Sequence, residues 1–509
     1  MKKILFLIIG TLLVLGLVLP GCGEPVEPEE VIYTFEDTEI VIGIAGEFDH
    51  VTGIFQNLGA TVAKGVINGG GGVVIGGVAH NITLQLIDTN EATDETGESG
   101  ALAMAAAIDD VDFVMGGFRT EAVEYYRDVA MDAEVIFFNC GAATELLQHS
   151  VVTDYDTYKY WFKTTPYNEY FLALNVLRNI NAVAIQLREA LNMTAVAQLD
   201  ACIVAEDLKW SRDEQVPIIE DGLAALNITL KETYLVSSLD SASTIGALAD
   251  IAGSYNPHII IPIYSGAMGV YFAGTLATYA GLDVICPMSV GINVYAQLKA
   301  PWTSAPGAQG YHVILDTWAS GVAQTSKTAA FLSAFMTYSG GEYPLYTAAT
   351  YDACFLLQAC LEDVGYVEGG VGKAKAEDII EWLEDPANAI VATTGTNCLF
   401  QQPGREVSGV PGLTEAQVRE IYPIDTYGYV YDLNDWLMPP NTTHDLCPGP
   451  GRATGIGAQW QYTGSAWEKV GVWPVDLDDP SLIDQYGDWN FEFTGTVALQ
   501  IPASTINHF

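Results

Sequence analysis

The residues with the clearest chemical potential stand in two short loops. Val-Met-Gly-Gly-Phe-Arg-Thr spans 114–120 and Val-Ile-Phe-Phe-Asn-Cys-Gly-Ala-Ala-Thr spans 135–144, so two apolar runs each stop at a small, polar turn. Short apolar runs bounded in this way read as buried parallel strands. In an open parallel α/β sheet, loops at the carboxyl ends of strands face a ligand crevice. Arg119 with Thr120, and Ala142-Ala143-Thr144, therefore read as half of a small-molecule pocket.

Signatures of catalysis are missing from the sequence. The 7 histidines are scattered singly, and there is no Gly-x-Ser-x-Gly elbow or His-Glu-x-x-His helix. Ser265-Gly266 follows an apolar run but lacks a glycine-flanked turn, and the pairs Asp109-Asp110 and Asp478-Asp479 have no basic or metal-spaced partners. The cysteines show no CxxC spacing and no nearby histidine, which argues against zinc. The glycine-rich run 69–77 follows a helical stripe and lacks Gly-Lys-Ser/Thr, so it reads as a flexible connection rather than a phosphate loop. No catalytic residue, metal or cofactor is expected.

These loops need a scaffold, and hydrophobic periodicity supplies one. Strands are predicted at 39–45, 82–88, 112–116 and 135–139, with helices between them; Ile54, Leu58, Val62 and Val66 form one apolar stripe. After an extended crossing at 160–166 the alternation recurs, with strands within 195–205 and at 233–236, 258–264 and 284–290. A strand at 311–315, helices at 327–338, 348–361 and 376–383, and strands near 457–461 and 469–473 complete the pattern. This is an α/β chain of two similar doubly wound lobes with a cleft between them.

The chain has 509 residues and a formal net charge of −43, with 63 Asp and Glu against 20 Lys and Arg. Such a field repels nucleic acid and anionic headgroups, and reads first as a solvated acidic coat. At the N-terminus, Lys2 and Lys3 precede an apolar run at 4–18 that ends in Leu-Pro-Gly-Cys22, a signal segment with a lipobox-like end. Cys22 is the expected lipid anchor. The Pro/Glu tether that follows is too polar to pack. Four Asn-x-Thr sequons, at Asn81, Asn192, Asn227 and Asn441, matter only if the host glycosylates secreted proteins. Cys140, Cys202 and Cys286 read as buried thiols, and Cys398 with Cys447 as a candidate disulfide.

Ordered along the chain, several segments together resemble the branched-chain amino acid (leucine/isoleucine/valine-binding) class of type I extracytoplasmic solute-binding proteins. They are Ile-Val-Ile-Gly-Ile-Ala-Gly-Glu-Phe (40–48), Asp-Phe-Val-Met-Gly-Gly (112–117), Cys-Gly-Ala-Ala-Thr (140–144), Phe-Lys-Thr-Thr-Pro (162–166) and Ile-Ile-Ile-Pro-Ile-Tyr (259–264). Tyr-Asp-Ala-Cys-Phe-Leu-Leu (351–357), Thr-Gly-Ile-Gly-Ala-Gln-Trp (454–460) and Val-Trp-Pro (472–474) complete the set. The resemblance implies two lobes joined by three crossings: 39–165 plus about 320–395, and 166–319 plus about 396–509, after a signal segment at 1–22 and a tether at 23–38.

The resemblance also implies roles. A ligand carboxylate would meet Arg119, Thr120, Ala142, Ala143 and Thr144, since helix N-termini favour anions and Arg can grip a carboxylate in two places. The ordinary alternatives are Arg119 pairing with Glu121 or Glu124, and the threonines capping helices. Glu121 and Glu145 should then point away. Phe48, Trp210, Tyr264 and Tyr351 would cover the ligand, the alternative being core packing. The family's acidic partner for an ammonium belongs in 287–293, where only Asn293 stands; Glu206 or Asp207 would have to substitute. The ligand then ranges over amino acids, amides and acids without an amine. The expected protein is a monomeric, lipid-anchored, extracytoplasmic receptor that delivers a small solute to an ABC permease, or a ligand sensor of the same fold without transport.

Overall fold

The computed structural model describes residues 32–35, 39–91, 96–165, 169–265, 268–276, 286–288, 312–365, 372–394, 456–462, 467–473 and 499–501, with single positions at 278, 279, 282, 284 and 444. The expectations for Cys22, residues 23–30, Asn293, Asn441 and the Cys398–Cys447 pair lie outside them.

The first lobe opens with a short strand β1 (Ile32–Thr34), antiparallel to Lys373–Lys375. Its main sheet is built on β2 (Glu39–Gly46), in which Ile40, Ile42 and Ile44 are fully buried. Helices cover both faces of a parallel sheet, and so its strands are apolar runs rather than alternating ones. The helix Val51–Gly69 follows, capped by His50, and the chain then makes a hairpin of β3 (Val73–Ile75) and β4 (Val78–Asp88). The glycine-rich run is thus more ordered than a flexible connection. Gly76 and Gly77, at φ 57° and 84°, form its two-residue turn, and tight hairpins favour glycine there because both central residues take positive φ. Helix Glu98–Ala107, β5 (Phe113–Gly116), helix Thr120–Asp132, β6 (Phe137–Asn139), helix Glu145–Thr153 and β7 (Trp161–Lys163) complete a six-stranded sheet in the order β3-β4-β2-β5-β6-β7.

The second lobe begins with the long helix Glu169–Ala190 and β8 (Leu199–Glu206). A π-helical turn, Lys209–Gln215, leads into helix Val216–Ala225, then β9 (Ile228–Val236) and helix Ser241–Ser254. Next come β10 (Ile259–Ile263), helix Met268–Leu276, β11 (Cys286–Met288) and β12 (His312–Asp316). Strands β10-β8-β9 form one parallel sheet.

Beyond β12 the chain returns to the first lobe. Helices Thr328–Ser339 and Thr350–Val364 pack on helix Val51–Gly69, with Phe335 stacked on Phe55 at 5.6 Å. The contact is close: a Cβ on Gly59 would meet the Ala348 carbonyl oxygen at 2.5 Å, so only glycine fits. After β13 (Lys373–Lys375) and helix Ala376–Glu384 the chain crosses again to β14 (Ile456–Tyr462) and β15 (Trp467–Trp473). These join β11 and β12 in the order β11-β12-β14-β15, and β11 lies alongside β10. The result is two doubly wound lobes joined by three crossings. Threonines tie the second crossing to the third: Thr325 and Thr328 donate to the carbonyls of Ala392 (2.7 Å) and Thr393 (2.6 Å). Asp352 accepts from the Thr393 amide and hydroxyl. Beneath the last strands Lys469 and Asp316 form a buried ion pair at 2.8 Å.

Candidate functional site

The first loop of the site turns at Gly116 and Gly117, at φ 123° and 81°. A Cβ on Gly116 would lie 2.1 Å from the Ala45 carbonyl oxygen, so the residue must be glycine. The chain then exposes the amides of Phe118 and Arg119 at the start of helix Thr120–Asp132. These amides are already used. Glu91, at the carboxyl end of β4, accepts from Phe118 N (2.9 Å), Arg119 N (3.1 Å) and the Tyr126 hydroxyl (2.8 Å), all on Oε2. Its other oxygen, Oε1, is buried with no hydrogen-bond partner. Burial outweighs these three donors and pushes the Glu91 carboxyl up to about 7.

The second loop is braced in a similar way. Asn139 Oδ1 accepts from the amides of Gly141 (3.1 Å) and Ala142 (3.0 Å), and its Nδ2 donates to the Ala142 carbonyl (2.8 Å). The two loops touch backbone to backbone, since a Cβ on Gly141 would stand 2.2 Å from the Gly117 carbonyl oxygen. Thr144 ends the loop as the N-cap of helix Glu145–Thr153, accepting from Leu146 N. Its hydroxyl proton goes to the opposite lobe, to Glu214 Oε1 at 3.0 Å.

That opposite wall is the turn Lys209–Gln215. Its register brings Lys209 N onto Glu121 Oε1 (3.1 Å), Lys209 Nζ onto Glu124 Oε1 (2.6 Å) and Glu214 onto Thr144. Arg119 reaches across as well, to Ser238 Oγ at 3.5 Å, while its Nε stands 3.9 Å from Glu121 Oε2. A cavity of about 300 Å³ opens at this seam, lined by Arg119, Glu121, Asp207, Leu208, Lys209, Arg212 and Asp213. Burial raises the Glu214 carboxyl to about 7, with Glu121 and Asp213 adding to the rise and Thr144 and Lys209 opposing it. His50, near Phe118, is lowered to about 4 by burial and by the charge on Arg119.

The structure brings Arg119, Thr120, Ala142, Ala143 and Thr144 together on one edge of the first lobe. Arg119 is buried and takes up its sequence-level alternative, with Glu121 as its neighbour, while facing the other lobe. Glu121 does not point away as expected; Lys209 and Arg119 draw it to the seam. Trp210 is buried in the π-helical turn, its indole N–H without a hydrogen-bond partner. Tyr264 is fully buried in its own lobe, with its hydroxyl 3.2 Å from Thr244 and its ring on Phe272. Tyr351 packs between Phe331 (4.4 Å) and Phe355 (4.8 Å), and Phe48 is half-buried. Glu206 accepts from the Ser265 amide and hydroxyl, and this occupies the serine singled out as a nucleophile. Glu91, Glu214, Ser238 and Tyr346, whose ring lies near Phe118 at 6.3 Å, carry no motif. Only the acidic strand end at 88–91 hinted at the first of them.

No protein-family model matches the chain, and no curated protein sequence matches it. Solved structures do. A putative branched-chain amino acid ABC transporter protein from Silicibacter pomeroyi aligns with 92% of this chain and 100% of its own, at TM-score 0.60 and 15% identity. The fold is that of a type I periplasmic binding protein. A solute binding protein of an ABC transporter from R. palustris, in complex with 4-hydroxybenzoate, aligns with 85% of this chain and 96% of its own, at TM-score 0.58 and 13% identity. LivJ from Streptococcus pneumoniae, in complex with isoleucine, aligns with 85% and 99%, at TM-score 0.52 and 15% identity. Among the described residues, no helix is long and apolar enough to cross a membrane, and no group of three or more His, Cys, Asp or Glu could hold a metal ion.

Proposed function

We propose that this protein is an extracytoplasmic solute receptor, anchored through Cys22, that captures a small acidic or amino-acid-like ligand between its lobes and presents it to an ABC permease. The observation that carries the reading is the seam itself. Arg119 and Glu121 of one lobe face Asp207, Lys209, Arg212 and Asp213 of the other across a cavity of about 300 Å³, and the Thr144 hydroxyl bonds directly to Glu214 on the same turn. That volume suits a ligand of amino-acid or benzoate size. Structural neighbours bound to isoleucine and to 4-hydroxybenzoate support both chemistries. Ligand contacts to both lobes would favour the closed arrangement, which is how such a fold signals occupancy.

Isothermal calorimetry and thermal shift against branched-chain amino acids, benzoate and 4-hydroxybenzoate test the reading. A ligand at a hundred times its Kd stabilises the fold by about 2.7 kcal/mol, a shift readily measured. Arg119→Ala and Trp210→Ala should weaken binding at least tenfold. No binding at millimolar concentration, with both variants indistinguishable from wild type, overturns it.

A further inference from the structure

Thr144 has one hydroxyl proton, and it is given to Glu214 of the other lobe at 3.0 Å. The same proton cannot also serve a ligand. Glu214 makes this contact in costly surroundings. Its Oε2 is buried without a hydrogen-bond partner, and Glu121 and Asp213 stand near it, with Lys209 as the compensating cation. Glu91 differs. It is held by two amides and a phenol, all within its own lobe, so opening the lobes leaves it in place. Among the described residues Glu214 makes one hydrogen bond, and that bond spans the seam.

We propose that Glu214 is a built-in occupant of the first lobe's acid-binding position: it bridges the lobes through the Thr144 hydroxyl, and an acidic ligand binds by displacing it. The displacement step rests on the solute-receptor reading; the bridge does not. Lys209 N and Arg119 add hydrogen bonds across the seam to Glu121 (3.1 Å) and Ser238 (3.5 Å), and the ion pair Lys209–Glu124 has both side chains about a third exposed, where pairs hold little. The Thr144–Glu214 bond is better shielded than that ion pair, and a hydrogen bond between neutral groups is worth up to about tenfold in an equilibrium. The raised Glu214 carboxyl agrees with a group that would sooner be in water.

Small-angle scattering of the protein without added ligand, at about pH 5.5, below the raised Glu214 carboxyl, tests the bridge. Glu214→Ala should shift the population toward a more expanded form by about tenfold, whereas Glu214→Gln and Thr144→Ser, which keep an acceptor and a donor, should scatter like wild type. Circular dichroism confirms that each variant is folded. Calorimetry with benzoate and isoleucine tests displacement, and Glu214→Ala should lower the Kd of whichever acid binds by about tenfold. Scattering unchanged by Glu214→Ala overturns the bridge, and a Kd unchanged or raised overturns displacement. Expansion with no acid bound by either protein overturns the solute-receptor reading and displacement together, and leaves the bridge standing.

Discussion

Glu91 offers a perturbation whose size follows from the structure. Its carboxyl is fully buried and raised from an ordinary 4.5 to about 7. A raised carboxyl means that ionisation costs more in the folded protein than in the unfolded chain. The sign follows. Stability from the neutral form is fully present below pH 4.5 and is lost as pH rises through 7. A shift of this size corresponds to about 3 kcal/mol by linkage, an order-of-magnitude figure. Gln cannot ionise, yet its amide oxygen can accept from Phe118 N, Arg119 N and the Tyr126 hydroxyl as Oε2 does now. Glu91→Gln should therefore gain on wild type by about 3 kcal/mol between pH 5 and pH 8.5. Urea unfolding followed by tryptophan fluorescence at four or five pH values measures this as a difference. The titration of Asp352 and Glu214, present in both proteins, cancels. A difference between the two proteins that stays flat with pH, within about 0.5 kcal/mol, refutes the burial argument. Glu91→Ala is the control for geometry: it strands two amides and a phenol and should destabilise at every pH, by about 1–3 kcal/mol or more.

Two further outcomes concern the frame around the site. Asp316→Ala leaves the Lys469 ammonium buried without its carboxylate and should cost about 3–5 kcal/mol in urea unfolding, whereas Asp316→Leu with Lys469→Met should recover most of that loss; equal losses in the two proteins would show that the pair is not coupled. Gly141→Ala places a methyl 2.2 Å from the Gly117 carbonyl oxygen and forces the two strand-end loops apart, so it should weaken ligand binding at least tenfold and lower the melting temperature, both read in one thermal-shift titration.

Much of the frame was legible because its signals are local. Ile40, Ile42 and Ile44 lie in an unbroken apolar run, and such a run has few solutions other than a strand covered on both faces. The loops at 117–120 and 140–144 could be placed for the same reason. The glycine-rich run was misjudged because two consecutive glycines can serve a slack linker or a tight turn, and only the pairing of Val73–Ile75 with 78–80 decides which. What the loops do with their donors was not legible. Glu91 lies 27 residues from the Phe118 amide it binds, and Glu214 lies 70 residues from Thr144 in another lobe. No spacing rule joins such positions. Arg119 was ambiguous in sequence for a related reason: Glu121, two positions on, is its neighbour, and Ser238, 119 positions on in the other lobe, is another.

The charge distribution bears on how a chain this acidic would hold the acid proposed for it. At a formal net charge of −43, the average surface repels an anionic ligand. The seam does not share that average. Its cavity is lined by Arg119, Lys209 and Arg212 against Glu121, Asp207 and Asp213, three cations and three carboxylates, and those cations are drawn from only 20 in the whole chain. At physiological ionic strength charges beyond about 8 Å are largely screened, so a ligand at the seam would respond to this mixed local set, with Glu124 and Glu214 beside it, more than to the coat. Within the lining Arg212 is tied to Asp207 and Asp213, Lys209 to Glu124, and Arg119 stands 3.9 Å from Glu121 and 3.5 Å from Ser238. Among the described residues the Thr144 hydroxyl, Arg119 and Lys209 all link the two lobes at this seam, so a ligand that enters it competes with contacts that already hold the lobes together.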